Sequence, residues 1–393
     1  MRLLLLHLLA LLARPFVRQP ARQVRRILYI KPDHLGDLLL ATPVLAALRE
    51  SHPEAQITAL VGPWARMVLE RNPSVDVLLV CPFPGFERAD RTKHKAQSTT
   101  VTMLYSLCFV LCSRVKPYLV LLKYAALLRP AGYDLAIIGR DDHWWGAALA
   151  LLAGVPERVG FAVAECRPLL SRALPWNPAD HVTRQGLALV GASNQRPTNK
   201  QQQTSFTPAP SDLAWAAGWL AAQLRPGERL VIIHPGTGGP AKHWLDDRWS
   251  EVATALAGEP GLRVALTGGP GEEGRVAAIV AGMRGPAIDL AGQTSVGQLA
   301  ALMGSAALVL GVDSGPLHLA AATGVRTIHL YGPGDEARFG PWGDAARNSV
   351  LHSELWCRPC GVFSACPRGL AVPECMERIA AHQVRDAAFA ALH

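Results

Sequence analysis

The residues of this 393-residue chain most able to do chemistry form the segment Gly311-Val312-Asp313-Ser314-Gly315-Pro316-Leu317-His318. An apolar run over residues 306–310 predicts a strand before it, and residues 317–322 predict a helix after it. Asp313 or Ser314 can cap that helix, and the proline suits its first turn. The segment therefore places backbone N–H groups and the positive end of a helix at the carboxyl edge of a sheet. A nucleotide diphosphate is the ligand that such an edge favours.

Glycine-rich loops follow three more predicted strands in the second half of the chain, at residues 234–239, 267–271 and 331–334. Glycine lets backbone amides approach a ligand closely, although ordinary turns after strands also use it. Four such loops at successive strand ends favour a nucleotide site. Neither the G-x-G-x-x-G pattern nor the P-loop pattern occurs, which argues against a dehydrogenase or an NTPase.

Two further side chains could take part in a reaction. Asp37 follows Gly36 where the first predicted strand turns into a helix, so its carboxylate can cap that helix or accept a proton from an incoming hydroxyl. Lys242 follows the first glycine-rich loop, where an ammonium would neutralise charge growing on a departing diphosphate. A lone lysine in a loop is usually only solvated. The residue types alone leave both interpretations open at each position.

The elements that would position these residues alternate between strands and helices. Apolar runs predict strands over residues 27–30, 57–61, 75–80, 135–138, 230–233, 264–267, 308–310 and 327–330, and helical spacing predicts a helix over residues 37–49. This βαβ alternation predicts an α/β protein with mostly parallel sheets. A polar segment rich in Pro, Gln and Thr at residues 191–212 reads as a linker. It would join a first domain, residues 26–190, to a second, residues 213–393, across a ligand cleft.

The composition is that of a globular protein, with 50% hydrophobic and 18% charged residues. The formal net charge of +8 is compatible with nucleic acid, an anionic membrane surface or a phosphorylated substrate as partner. A nucleic-acid partner is not expected, because no basic stretch is interleaved with aromatic residues.

The amino-terminal segment, residues 1–25, combines an apolar run with the arginines that follow it. The run over residues 3–13 is too short to cross a bilayer, which takes ~20 residues. We expect an amphipathic helix on the cytoplasmic face of a membrane, with a helix packed on the protein as the alternative. A second apolar stretch, residues 101–128, is interrupted by charged residues and a proline, so a spanning helix is not expected there.

Four of the eight cysteines lie close together near the end of the chain: Cys357, Cys360, Cys366 and Cys375. Without an export signal, reduced thiols in the cytosol are expected. Four thiolates suffice for a structural zinc or iron site, but only one C-x-x-C pair occurs, so reduced or paired thiols are the alternative. The other four, Cys81, Cys108, Cys112 and Cys166, are expected in the core.

Four motifs occur in a fixed order within residues 26–342. They are K-x(5)-D ending in Gly36-Asp37, H-P-G-x(5)-K-x-W around Lys242, L-x-G-x-T-S at residues 290–295, and the segment at residues 311–318. As a set they make the chain resemble glycosyltransferase family nine, which includes the bacterial ADP-heptose:lipopolysaccharide heptosyltransferases. The resemblance implies a GT-B fold of two Rossmann-like domains, with the acceptor bound by the first domain and the donor by the second.

The resemblance also implies residue roles in an inverting transfer. Asp37 would be the general base on the acceptor hydroxyl, and Lys242 would hold the donor diphosphate. Substrate contacts would come from Gly36, Gly236, Thr237, Gly238, Glu272 or Glu273, Thr294, Asp313, Ser314, Gly315 and His318. Helix amides and a lysine can stand in for a divalent ion, and no Asp-x-Asp motif occurs. No cofactor is therefore expected for catalysis.

These observations predict an inverting glycosyltransferase that moves heptose from ADP-heptose to the lipid A–Kdo inner core of lipopolysaccharide. The enzyme would act from the cytoplasm as a peripheral protein of the inner membrane. One alternative is a family member with another nucleotide sugar or a protein hydroxyl as acceptor. The other is a non-catalytic subunit that binds nucleotide sugars or is held in an assembly by metal.

Overall fold

The computed structural model describes residues 2–86, 103–192 and 203–393, with side chains from residue 115 onward in the second of these ranges. The first domain contains a six-stranded parallel sheet in the order β3-β2-β1-β4-β5-β6. Its strands are β1 (Arg26–Lys31), β2 (Gln56–Val61), β3 (Val77–Val80), β4 (Leu135–Ile138), β5 (Glu157–Phe161) and β6 (Arg172–Leu174). Its helices are α1 (Arg2–Ala13), α2 (Leu35–Leu39), α3 (Thr42–Ser51), α4 (Met103–Leu128), α5 (Trp144–Leu152) and α6 (Val182–Gly191).

The second domain repeats this plan, with a parallel sheet in the order β12-β11-β10-β7-β8-β9. Its strands are β7 (Arg229–His234), β8 (Leu262–Leu266), β9 (Ala287–Asp289), β10 (Leu308–Val312), β11 (Thr327–Tyr331) and β12 (Asn348–His352). Its helices are α7 (Pro210–Gln223), α8 (Asp246–Ala257), α9 (Glu273–Ala281), α10 (Val296–Ser305), α11 (Gly315–Thr323), α12 (Glu336–Phe339), α13 (Glu374–Glu377) and α14 (Ala381–Leu392).

Helices cover both faces of each sheet, because the central strands are apolar at almost every position. In the first domain, α2 and α3 pack on one face and α1, α4 and α5 on the other. In the second domain, α7, α10 and α11 pack on one face and α8, α9 and α14 on the other. The α2–α3 side of the first domain and the α10–α11 side of the second share one buried apolar cluster. The two domains therefore meet along these helices.

Each sheet has a switch point where the order of its strands reverses. The switch point lies between β1 and β4 in the first domain and between β7 and β10 in the second. Ligands of such sheets bind outside the carboxyl ends of the strands at this crevice. Asp37, Lys242 and Asp313 all follow strands that border a switch point.

The predicted central strands are confirmed to within two or three residues, but the predicted helix over residues 37–49 is wrong as a single element. It is divided into α2 and α3, and the second helix begins with Pro43 in its first turn. Proline lacks the N–H of a helix interior but suits a first turn, so the chain restarts the helix there. The short strands β5, β6, β9 and β12 were not predicted.

Of the predicted linker, residues 191–212, the structure describes residues 191–192 and 203–212. The last three of these residues already belong to α7. Among the described residues, no helix is long and apolar enough to cross a membrane.

Candidate active site

A network of charged side chains lies at the switch point of the first sheet. Asp33 is buried, and its carboxylate lies 3.0 Å from Lys31 Nζ and 2.5 Å from the guanidinium of Arg140. Lys31 Nζ also donates to the carbonyl of Gly139, over 2.9 Å. Burial by itself would raise the pKa of Asp33, but the two cations hold it below its ordinary value. The two cations therefore favour the ionised form of Asp33, just before the start of α2.

Asp37 stands in the first turn of α2, close to this network but outside its ion pairs. In the described part of the chain, no hydrogen bond or ion pair engages its carboxylate. Burial, and after it the negative charge of Asp33, raises the pKa of Asp37 from 3.8 to about 6, against the opposite influence of Lys31 and Arg140. A carboxylate of this kind is ionised at pH 7 and yet more basic than an ordinary aspartate, which suits a general base.

The facing residues of the second domain centre on Asp313, at the end of β10. Lys242 Nζ lies 3.3 Å from Asp313 Oδ2, and Thr237 Oγ1 donates to the Asp313 carbonyl over 3.2 Å. The ammonium of Lys242 also lies 4.8 Å from the ring centre of Phe363. Three predicted residues from two loops, the one after β7 and the one after β10, thus meet at one point.

The beginning of α11 adds polar groups next to Asp313. Ser314 and His318 are both buried, and neither Ser314 Oγ nor His318 Nδ1 has a hydrogen-bond partner among the described residues. His318 Nε2 lies 4.0 Å from Asp313 Oδ1. Burial lowers the pKa of His318 to about 4, so its ring is neutral at pH 7. A neutral imidazole and a hydroxyl at a helix N-terminus can both donate to a phosphate or a sugar oxygen.

The two predicted glutamates face different loops. Glu272 Oε2 accepts a hydrogen bond from Gly269 N over 2.7 Å, and a Cβ atom at Gly236 would lie 2.1 Å from the same oxygen. Gly236 therefore has no room for a side chain. Glu273 accepts from Gly271 N and lies against Gly292, in the loop that carries Thr294. Glu272 borders the Gly236–Gly238 loop, whereas Glu273 and Thr294 lie further along the strand edge.

The two half-sites meet where α2 contacts α11. A Cβ atom on Gly36 would lie 3.0 Å from His318 Cδ2, and one on Gly315 would lie 3.2 Å from Leu35 Cδ2. Glycine at both positions allows the backbones of the two domains to approach this closely. This contact places Asp37 near enough to Asp313 for the negative charge of Asp313 to raise the Asp37 pKa as well. The structure thus brings the predicted base and the predicted diphosphate site to one cleft.

The cysteine-rich segment does not form the predicted metal site. Among the described residues, no group of three or more Cys, His, Asp or Glu side chains is placed to hold a metal ion. The four terminal cysteines line a cavity of about 220 Å³, and all are free thiols. Burial raises the pKa of the Cys375 thiol, which opposes the thiolate form that metals require. Of the cysteines expected in the core, Cys81 and Cys166 are buried, while the Cys108 and Cys112 side chains lie outside the described residues.

Several residues of the site were not predicted from the sequence. Arg140 gives no sequence signal, because it reaches Asp33 only through the pairing of β1 with β4. The segment with Phe363 folds back on the glycine-rich loop, where the Phe363 carbonyl accepts from Ala241 N over 3.0 Å. Lys31 and Asp33 lie inside the K-x(5)-D motif, and their charges so close to Asp37 were a usable signal.

Comparison with known proteins agrees with this geometry. Residues 121–365 match the model of glycosyltransferase family 9 (heptosyltransferase). Lipopolysaccharide heptosyltransferase 3 of Escherichia coli is 28% identical over 320 residues, which cover 79% of this chain and 84% of the relative. Lipopolysaccharide heptosyltransferase 1 of Salmonella typhimurium is 24% identical over 322 residues, covering 81% of this chain and 92% of the relative.

Solved structures show the same architecture. A glycosyl transferase family 9 structure from Veillonella parvula has a TM-score of 0.73 at 22% identity and covers 94% of this chain and 97% of its own. The Escherichia coli ADP-heptose lps heptosyltransferase II has a TM-score of 0.68 at 20% identity, covering 93% and 98%. The two facing Rossmann-like domains form a GT-B fold, and the chain is a glycosyltransferase that belongs to glycosyltransferase family 9.

Proposed function

We propose that this glycosyltransferase transfers heptose from ADP-heptose to the inner core of a lipopolysaccharide precursor, with inversion at the anomeric carbon. The observation that carries the proposal is the position of Asp37. A carboxylate with a raised pKa, unpaired within the described part of the chain, lies where the first domain touches the second, opposite Lys242 and Asp313. The named activities of the similar heptosyltransferases support heptose as the transferred sugar.

In the proposed reaction, Asp37 takes the proton of the acceptor hydroxyl while the hydroxyl oxygen attacks the anomeric carbon of the donor sugar. The bond between that carbon and the diphosphate oxygen breaks, and its electron pair leaves with ADP. Attack from the side opposite the diphosphate inverts the anomeric centre. Because its pKa is about 6, Asp37 returns the proton to water at neutral pH and is ready for another cycle.

The second domain would stabilise the departing diphosphate. Lys242 supplies a positive charge, and the N-terminal turn of α11 supplies backbone N–H groups and the positive end of its dipole. Ser314 and His318 would donate to phosphate or sugar oxygens with the polar atoms that the protein leaves unpartnered. We assign the ribose hydroxyls to Glu272, because its carboxylate borders Gly236. Glu273 and Thr294, further along the edge, would face the base.

Calorimetric titration of ADP, UDP and GDP, with and without a chelator, tests the donor assignment. We expect ADP to bind more tightly than UDP and GDP, and to do so equally well with the chelator present. Preference for UDP or GDP would retain the transfer chemistry and remove heptose from the proposal. Absence of binding to all three nucleotides would instead support a non-catalytic subunit.

We further propose that the enzyme acts at the cytoplasmic face of the inner membrane, where a lipopolysaccharide precursor would present its sugars. The apolar helix α1 and the arginines that follow it support this location. Flotation of the protein with lipid vesicles, before and after removal of residues 1–25, tests this part of the proposal. Unchanged flotation of the shortened protein would remove the amino-terminal segment as an anchor.

A further inference from the structure

We infer that α1 and α4 together form one membrane-docking surface, and that this surface fits an anionic phospholipid bilayer. The inference rests on the proposed function only in its choice of a lipid-linked acceptor. It goes beyond the amino-terminal anchor, because it assigns half of the surface to a helix that begins 90 positions after α1 ends. The evidence is the exposure, the packing and the charge of the two helices.

The outward side of α1 is apolar and exposed. The helix is apolar at every position except Arg2 and His7, yet only Leu6 and Ala13 are buried. Its exposed leucines fall mainly on one side, at i, i+1, i+4, i+7 and i+8: Leu4, Leu5, Leu8, Leu11 and Leu12, with exposures of 50–74%. A helix that is apolar on all sides is normally buried on all sides. Within residues 2–86, 115–192 and 203–393, whose side chains the structure describes, no second apolar surface covers this side of α1.

The outward side of α4 has the same character. Val115, Tyr118, Leu119 and Leu122 follow the i, i+3, i+4, i+7 spacing of one helix face, and their exposures are 47–61%. The inward side of the same helix contributes Leu121, Ala125 and Leu128 to the core. Apart from the residues near the cysteine-rich segment and one leucine of α7, the large exposed hydrophobics of the described residues all lie on α1, α4 and the turn after α1.

The two helices lie on the same face of the first domain, on either side of α5. Both pack against α5, and their buried residues belong to the same apolar cluster. Their carboxyl ends are joined by Arg129, which donates to the Phe16 carbonyl over 2.9 Å. Near the start of α5, Arg2 lies 4.6 Å from the ring of Trp144, and Trp145 Nε1 donates to the Pro117 carbonyl over 3.1 Å. The two exposed apolar faces therefore flank one helix.

Charge selects an anionic bilayer over other apolar partners. Residues 1–26 and 103–129 together contain ten arginines and lysines and no aspartate or glutamate. Two of the ten are paired with acidic side chains of other elements, Arg2 with Glu165 at 3.1 Å and Arg18 with Asp134 at 3.9 Å. An apolar face surrounded by basic side chains is typical of helices that lie in the headgroup region of anionic membranes. Trp144, half-buried beside Arg2, is a residue type that membrane interfaces favour.

The surface also borders a cavity that contacts the charged network of the first domain. An aromatic cavity of about 400 Å³ lies between α4 and the start of α5, lined among others by Phe86, Tyr118 and Trp144. Arg140 lies 5.2 Å from the Phe86 ring and bonds to Asp33 on its other side. The cavity beside the docking surface is therefore connected to Asp33 by two successive side-chain contacts.

Flotation with vesicles of phosphatidylcholine containing about 30% phosphatidylglycerol, measured on the full chain, tests the inference. We expect Leu119→Ser with Leu122→Ser on α4 to lower vesicle binding about tenfold, and Leu4→Ser with Leu8→Ser on α1 to lower it similarly. Leu213→Ser, on the exposed leucine of α7, is the matched control and should leave flotation unchanged. Circular dichroism would verify that each variant is folded.

A second pair of variants tests the charge requirement. Lys116→Gln with Lys123→Gln should lower binding to the anionic vesicles about tenfold and leave the weak binding to pure phosphatidylcholine unchanged. Arg225→Gln with Arg284→Gln, both exposed in the second domain, should have no effect. Equal losses on neutral and anionic vesicles would overturn the charge argument.

If the α4 variant, Leu119→Ser with Leu122→Ser, floats with vesicles as well as the wild type does, the proposal of a two-helix surface is overturned. A wild-type dimer in vesicle-free buffer, converted to monomer by the α1 and α4 variants, would show that the surface binds a second copy of this chain instead. Transfer to a water-soluble, deacylated saccharide separates this inference from the proposed function. A chain that floats with vesicles but never transfers sugar would retain the surface and lose the proposed reaction.

Discussion

The two sides of the cleft differ in whether the aspartate proposed to act in the reaction is paired with a cation. On the second-domain side, Asp313 is paired with Lys242 at 3.3 Å. On the first-domain side, the paired aspartate is Asp33, which binds Lys31 and Arg140. The nearby Asp37 has no ionic partner among the residues that the structure describes. The pKa of Asp33 is lowered and that of Asp37 is raised to about 6, although the two residues are only four positions apart.

This difference teaches how one cleft can hold a base and an anion site together. A carboxylate that must accept a proton cannot also be neutralised by a cation, because the cation would make it a weaker base. Asp313, which would hold the lysine proposed to bind the diphosphate, has the reverse requirement, because its pairing keeps that cation in place. In the first domain, both nearby cations, Lys31 and Arg140, are paired with Asp33 and not with Asp37. The following variants break or sharpen this contrast, from the largest expected effect to the smallest.

Removal of the base should have the largest effect. Asp37→Asn should lower kcat by ~10²–10⁴-fold, because the neutral amide cannot accept the acceptor proton, while the Kd for ADP stays unchanged. Steady-state kinetics and calorimetry measure the two quantities, and Asp386→Asn on the exposed side of α14 is a matched control. A parallel loss of ADP affinity would place Asp37 in the donor site instead.

Removal of the lysine should affect binding as well as turnover. Lys242→Gln should weaken ADP binding about 10–100-fold, since a charge-assisted contact is lost and Asp313 is left facing the diphosphate. Adding Asp313→Asn to this variant should recover part of the affinity by removing the uncompensated charge. Calorimetry on the two variants tests the pair; identical affinities for both would show that Asp313 does not act through Lys242.

The burial of the Asp37 carboxylate, close to the negative charge of Asp33, should also lower stability at neutral pH. Because its folded-state pKa is above its ordinary value of 3.8, the stability linked to Asp37 is fully present below that pH and is lost as pH rises through about 6. At pH 8, the free energy of unfolding of the Asp37→Asn variant should therefore exceed that of the wild type by about 1–2 kcal/mol. Denaturant titration of both proteins measures this difference. The difference should vanish near pH 4. A variant less stable than wild type at pH 8 would contradict this assignment of the charge.

The smallest expected effect is a shift of the pH profile. The wild-type kcat/KM should fall as pH drops below about 6, where Asp37 becomes protonated. Asp33→Asn should move this limb to lower pH by ~0.5–1 unit, because it removes a like charge and leaves Lys31 and Arg140 to act on Asp37. Arg140→Gln should move it upward. A limb that stays in place in both variants would show that the network does not tune the base.

Much of the fold follows from local sequence pattern. The central strands are continuous apolar runs bounded by glycine and proline, which identifies buried parallel strands. The edge strands β6, β9 and β12 were missed because they are short and only partly buried, so the pattern is weak there. The break between α2 and α3 was missed because the apolar spacing continues across it. The proline in the first turn of α3 was the local signal.

The functional residues, too, divide into those that the sequence could predict and those that it could not. The K-x(5)-D and G-V-D-S-G-P-x-H motifs are contiguous in the chain, so Asp37 and Asp313 could be proposed from the residues and the family resemblance. The apolar run of α1 and the arginines after it could also be recognised from the sequence. The contribution of α4 to the docking surface could not be recognised from the sequence. Only the packing of α4 on α5 shows which side of the helix is exposed.

The sequence by itself determined the α/β class, the order of the motifs and the residue types available for transfer. These are local properties, set by hydrophobic period, turn residues and spacing. Only the tertiary structure decided which charges are neighbours. Arg140 lies 107 positions from Asp33, and Lys242 lies 71 positions from Asp313, yet strand pairing at each switch point brings them within hydrogen-bond distance. Burial and charge in that arrangement then set the pKa of Asp37, because both depend on what surrounds a group in space rather than along the chain.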